Sequence, residues 1–316
     1  MQLQGTVQKD LILSSFMYET FLDDAARFLV SARQFCPPET TDIVMVVRPE
    51  VDPKFAQFAH ELQVQLVPAY SAYEDVNRNI LLKTLYRGFL LALEWGTSAG
   101  LPGFDRAYRM LASAWVHPTS TRHFAYLDFI KANPNYRCVL LSDSRDVVFQ
   151  GNPFPEVNPQ TLSVFEHDPS VIYGHEDDFY GGVDTKWTAK MFGNQVVNNL
   201  NGKRIICAGT IMGSPKVMQQ YLTYMEKEIL SHKSNTIDQS IHNKLIYLDL
   251  PGSLFQIHSN VSGPILTLHA IDEQSYDIQD QQVMVNGKVV PVLHQYDRVP
   301  DLKNLFINLY PITATA

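Results

Sequence analysis

The chain reads as an α/β protein, a mostly parallel central sheet flanked by helices with a mixed C-terminal part. Three observations predict this. The first 67 residues alternate short apolar runs with helical patterns, the rhythm of parallel strands joined by helical crossovers. Cys138-Val-Leu-Leu141 is a further apolar run of the kind a buried central strand needs. More strand-like and helix-like segments follow, with no internal repeat, low-complexity linker or shift of composition between them. One domain over 1–316 is therefore expected, with halves of about 1–155 and about 156–316.

Taken in order, Asp10-Leu-Ile-Leu-Ser-Ser-Phe16 predicts a first strand ending in small polar residues, and Phe21, Ala25, Phe28, Leu29 and Ala32 recur at helical spacing. Asp42 to Val47 is a second strand stopped by Arg48-Pro49; a helix from Pro53 to Leu62 leads to a third strand at Val64 to Val67. A long helical pattern runs from Tyr73 to Trp95 through Val76, Ile80, Leu81, Leu85, Phe89 and Leu93. A second helix covers Phe104 to Trp115. Beyond Pro118, Ser120 or Thr121 is expected to cap a third helix, with Phe124, Leu127 and Ile130 on one face. Arg122 in its first turn is a site candidate, set against the plainer expectation of a solvated arginine.

After the central strand, Leu162 to Glu166 predicts a strand, His167 to Gly182 a polar aromatic loop, and Trp187 to Phe192 a helix. Arg204 to Gly213 is a strand broken by Gly209, where a bulge sits or a backbone approaches a ligand. Lys216 to Leu230 and Thr236 to Tyr247 are helical, and Ser253 to Val292 holds strand-like pieces and turns such as Asn286-Gly287.

A net charge of -8 and a pI near 5.7 argue against a broad basic face, so no nucleic-acid partner is expected, while a local pocket for a nucleoside diphosphate stays compatible. The three cysteines, Cys36, Cys138 and Cys207, are scattered and form no CxxC pair, which predicts buried free thiols in a reducing compartment. Met1 to Asp10 shows no signal-peptide pattern, and no apolar stretch is long enough to span a bilayer. The expectation is a cytoplasmic protein without a transmembrane segment, peripheral attachment to a membrane staying open.

The chemistry concentrates after the central strand, in Ser142-Asp143-Ser144-Arg145-Asp146-Val147-Val148-Phe149-Gln150. Charges beside a buried strand are costly unless paired or metal-bound. Hard divalent cations prefer oxygen ligands, and a strand-to-turn transition lets Asp143 and Asp146 converge on one ion. The alternative is that either aspartate pairs with Arg145 and caps the turn.

The order of parallel strands, the acidic end of the central strand, Ala208-Gly209-Thr210, Asp238-Gln239 and a late histidine together resemble the GT-A (Rossmann-like) class of nucleotide-sugar-dependent glycosyltransferases. The likeness runs from about Asp10 to Arg298 in order of elements; only the 139–154 stretch and the His294 segment approach motif quality. In that class an Asp-x-Asp motif binds a divalent metal and the sugar nucleotide. Here the acidic residues are three apart, so Ser144 stands where the first acid of the motif would be if Asp146 is the second. The resemblance implies Asp143, Asp146 and His294 as metal ligands, with Mn²⁺ favoured over Mg²⁺ by the imidazole. It further implies Ser14, Ser15 and Phe16 near the nucleotide base, and Arg122, Ser144, Arg145, Gly209 and Arg298 around the donor. Asp238 and Gln239 would face the donor sugar and acceptor as the catalytic pair. The first half of the chain would bind the nucleotide and the second half the acceptor, with tyrosines of the 167–182 loop covering it.

What this implies is a hexosyltransferase-like enzyme moving a sugar from a nucleoside-diphosphate sugar to a hydroxyl acceptor, whether glycan, lipid-linked or small molecule. The late histidine favours retention at the anomeric carbon. The rivals are a sugar nucleotidylyltransferase, a phosphatase of the haloacid dehalogenase type, and a nucleotide-sugar-binding protein without turnover. The first wants a glycine- and lysine-bearing loop after the first strand, and Ser14 to Thr20 has neither. The second needs two acids two residues apart, and Asp143 is followed at that distance by Arg145.

Overall fold

The computed structural model describes residues 8–17, 21–232 and 236–312. The nucleus of the fold is three parallel strands, β1 (Asp10–Phe16), β2 (Thr41–Val47) and β3 (Val64–Pro68), linked by α1 (Leu22–Phe35) and α2 (Pro53–Glu61). Leu11, Ile12 and Leu13 of β1 and Val44, Met45 and Val46 of β2 are wholly buried. Strands covered on both faces need such unbroken apolar runs, and each buried side chain of this size contributes roughly 1.5 to 3 kcal/mol.

Four helices lie between β3 and the central strand: α3 (Tyr73–Arg78), α4 (Ile80–Ser98), α5 (Phe104–Trp115) and α6 (Pro118–Ala132). The single helix expected over 73–95 is thus two. Asn79 takes an extended conformation (φ -115°, ψ 111°), and its side chain accepts from the amides of Leu81 and Leu82, so it caps a new helix where the old one ends. The apolar stripe divides as well. Val76 is buried, whereas Ile80, Leu81, Leu85 and Phe89 face solvent. Nor do Ser120 and Thr121 cap α6. That place belongs to His117, ahead of Pro118 at the first helical position, while the Ser120 hydroxyl meets that of Thr236 at 2.9 Å.

β4 (Val139–Ser142) lies beside β1, with Ser142 opposite Ser14. The chain turns through 143–146 into β5 (Val147–Phe149) and goes on to β6 (Leu162–Glu166), α7 (Gly182–Phe192) and α8 (Asn194–Leu200). β7 (Ile206–Gly213) then inserts antiparallel between β4 and β6, and α9 (Pro215–His232) and α10 (Asp238–Lys244) cover that side. Ser234 and Asn235, which precede α10 in the sequence reading, lie outside the described residues.

The remaining strands are β8 (Phe255–His258), β9 (Ile265–Thr267), β10 (Asp277–Gln279), β11 (Gln282–Val285), β12 (Lys288–Val289) and β13 (Val292–His294), before α11 (Pro300–Leu309). The main sheet has the order β3-β2-β1-β4-β7-β6-β8, with β7 alone running against the rest. A second sheet, β5-β13-β9, places His294 opposite Val147. That register carries a residue from the far end of the chain to the acidic turn. Among the described residues no helix is long and apolar enough to cross a membrane.

Candidate active site

The site forms where β4 ends. Asp143 leaves the sheet by donating its amide to the Gly209 carbonyl at 2.8 Å, and Gln295, just past β13, donates its amide to the Asp146 carbonyl at 2.6 Å. Gln295 adopts a left-handed conformation (φ 58°, ψ 36°) to turn there. Asp143, Asp146 and His294 consequently meet, offering ligand atoms that all lie within 4.8 Å of one another. His294 Nε2 stands 3.7 Å from Asp143 Oδ2 and 3.6 Å from Asp146 Oδ1.

Each carboxylate divides its two oxygens. Oδ1 of Asp143 accepts from Arg122, and its other oxygen turns to His294. Asp146 mirrors this, with Oδ2 3.3 Å from Arg145 Nη2 and Oδ1 toward His294. Burial would raise the pKa of Asp143, but the guanidinium of Arg122 and the imidazole of His294 together outweigh it and hold the group below the usual carboxylate range. Burial pushes Asp146 upward, and the negative charge of Asp143 adds to that against the pull of His294 and Arg145.

The donor set fits a divalent cation. His294 is 1% exposed, yet its Nε2 has no hydrogen-bond partner, an arrangement costing about 1 to 3 kcal/mol unless something else satisfies the atom. Two carboxylate oxygens converge on the same point. A Cβ on Gly209 would come within 2.5 Å of His294 Cε1 and 2.7 Å of Asp143 Oδ2, so the missing side chain is what admits both groups.

Arg122 corrects the solvated-surface expectation. It is 9% exposed, and its Nη2 donates to Asp238 Oδ2 at 3.0 Å, so one guanidinium bridges Asp143 and Asp238. Nothing in the sequence shows that α6 starts against the sheet rather than in water. His123 joins from the same turn, with Nε2 3.6 Å from Asp238. Gln239 donates to the Ile206 carbonyl at 2.9 Å and accepts from the Ala208 amide at 2.8 Å; its side chain clamps β7 while lining the cleft.

Ser144 and Ser14 act within the frame. Ser144 donates to the Ser15 carbonyl at 2.8 Å and Ser14, wholly buried, to the Ser142 carbonyl at 2.7 Å; together they lace β1 to β4. Gly209 does not interrupt β7. Val164 pairs with Ile211 while Phe165 pairs with Cys207, so Ala208-Gly209-Thr210 bulges without a partner in β6. The three cysteines are buried and free.

Two cavities meet at the cluster and share Arg122, Asp143, Trp187, Gln295 and Arg298. One, of about 440 Å³, opens beside Ser15, Phe16, Phe21, Arg145 and Asp146. There the Arg145 guanidinium lies 5.1 Å over the Phe21 ring. The other, of about 570 Å³, is walled by Phe179, Asp184, Trp187, Cys207, Gln239 and His269. Burial pushes the Asp184 carboxyl up to about 6. Sequence reasoning misses Phe21, Asp184, Trp187, Cys207 and Gln295. Only Gln295 carries a signal, its place directly after the late histidine.

No protein-family profile matches the sequence, and no match is found among the curated proteins. Similar solved structures include the galactosyltransferase LgtC with donor and acceptor sugar analogues, at 12% identity, covering 96% of this chain and 97% of that one with a TM-score of 0.49. Mouse xyloside xylosyltransferase 1 is 12% identical, with 90% and 97% covered and a TM-score of 0.49. Core-mannan synthase A from Aspergillus fumigatus in its Mn/GDP form is 11% identical, with 82% and 74% covered and a TM-score of 0.41.

Proposed function

We propose that the protein is a metal-dependent glycosyltransferase that transfers a sugar from a nucleoside-diphosphate donor to a hydroxyl acceptor with retention at the anomeric carbon. The observation that carries this is the convergence of Asp143, Asp146 and the unpartnered Nε2 of His294 at a strand end between two cavities. In this reading these residues hold Mn²⁺ or Mg²⁺, which supplies neutralisation of the charge that develops on the departing diphosphate. Arg145 and Arg298 line the cavity beside Phe16 and Phe21 and suit a diphosphate, because a guanidinium can grip two phosphate oxygens at once. Ser15, Phe16 and Phe21 then receive the base, while the larger cavity takes the donor sugar and the acceptor.

Asp238 is bound by Arg122, which suits it to fixing sugar hydroxyls and the arginine rather than to removing a proton. Asp184, whose carboxyl burial pushes up to about 6, is ionised at neutral pH yet more basic than an ordinary carboxylate, and this environment suits taking the acceptor proton.

Hydrolysis and transfer assayed over a panel of nucleotide sugars, with Mn²⁺ and with chelator, test the reading. Turnover that needs the metal and disappears in folded Asp146→Ala and His294→Ala supports it, and the anomeric configuration of the product tests retention. Binding of nucleotide with Mn²⁺ but no turnover on any donor would instead favour a nucleotide-sugar-binding protein.

A further inference from the structure

We infer that Cys207 is a positioning residue for the metal site, fixing the ring of His294 through Nδ1 so that Nε2 faces the two aspartates. The inference rests on the metal-binding reading above but concerns a residue that plays no part in it. Cys207 Sγ lies 3.3 Å from His294 Nδ1, and the two residues are 4% and 1% exposed. The thiol is the hydrogen-bond partner of that ring nitrogen, leaving Nε2, which has none, as the atom offered to the cluster. A histidine that binds a metal through Nε2 must carry its proton on Nδ1, and the acceptor of that proton sets ring orientation and basicity. Carboxylates and carbonyls usually serve; here sulfur, a weak acceptor, takes the place.

Cys207 is well suited to hold a ring still because its neighbours are themselves held. Asn243 Oδ1 accepts from the Ile206 amide at 2.9 Å, and Asn243 and Gln239 both donate to the Ile206 carbonyl. Gln239 also accepts from the Ala208 amide on the other side. The thiol therefore projects from a backbone pinned on both flanks by α10. Two residues on, Gly209 leaves room for Cε1 and Nε2 of the ring. Strand, thiol and glycine form a cradle shaped for one imidazole in one orientation.

The test compares wild type, Cys207→Ala and Cys207→Ser by two readouts. The first is Mn²⁺ alone, titrated into the protein while free Mn²⁺ is followed by electron paramagnetic resonance. Cys207→Ala should weaken binding by about ten- to a hundredfold, as losses of such outer partners do, and Cys207→Ser, which keeps an acceptor, should recover most of it. The second is NMR of the metal-free protein: a slowly exchanging His294 Nδ1 proton in wild type and Cys207→Ser, lost in Cys207→Ala. Mn²⁺ binding and Nδ1 protection both unchanged in Cys207→Ala would overturn the inference. If wild type bound no Mn²⁺, the metal reading would fail, while the Nδ1 proton would still decide whether Cys207 holds the ring.

Discussion

Gly209 is where a single hydrogen in place of a methyl group decides whether the site can assemble. An alanine there would press its Cβ into His294 and Asp143 at distances real Cβ atoms do not adopt, so one of those side chains must swing away. Gly209→Ala is expected to cost about 1 to 3 kcal/mol in stability, the usual penalty of overpacking. It should also abolish any rise in Tm on adding Mn²⁺, both read from one thermal melt. Asp184 gives a pH-dependent counterpart. Its folded pKa of about 6 stands above the ordinary 3.8, so the fold favours the neutral acid. That contribution is complete below the ordinary value and disappears as pH rises through the folded one. Asp184→Asn should therefore be more stable than wild type by about 1 to 2 kcal/mol at about pH 8, discounted for its partial exposure, and equal to it near about pH 4. Urea unfolding at both pH values checks the sign. A carboxyl in a polar stretch looks like any surface aspartate in sequence, which is why Asp184 goes unread there while Asp143 and Asp146, bracketed by apolar runs, do not.

At the scale of elements, the site depends on how α10 grips β7. Asn243 is wholly buried; its side chain accepts from the Ile206 amide and donates to the Ile206 and Gln239 carbonyls. Asn243→Ala leaves the buried Ile206 amide without its partner, Gln239 still donating to the Ile206 carbonyl, and should cost about 1 to 3 kcal/mol. Faster hydrogen exchange at the Ile206 amide than at β1 amides would localise the damage. The elements themselves are legible to very different degrees. β1 and β6 carry the bounds the apolar runs predict, because a strand buried on both faces leaves an unbroken record. α4 is misread for the opposite reason. Its apolar residues recur at helical spacing, and periodicity says that a face exists, not that it is covered. Asn79 ends one helix and starts another with a single side chain, a local hydrogen bond that competes with the helix and that a search for apolar spacing passes over.

Across the whole molecule, the cluster ties together segments the chain keeps far apart: the end of β4, the bulge of β7 and the end of β13. Acidic residues at a strand end are visible in sequence; the pairing of His294 with Val147 is not, because strand register between distant segments is set by packing. The same distance makes ligand binding a global property. A cation and nucleotide held by Asp143, Asp146 and His294 would be lost whenever any of the three segments separates, so binding stabilises the folded chain as a unit. At nucleotide about a hundredfold above its Kd that gain is about 2.7 kcal/mol. With an unfolding entropy of about 2.1 cal/mol/K per residue, a chain of 316 residues should show Tm rising by about 4 °C. The rise should require Mn²⁺ and nucleoside diphosphate together and be absent in His294→Ala. A rise of the same size in His294→Ala would mean that the nucleotide binds without β13, and the two cavities would then have to be read as separate sites.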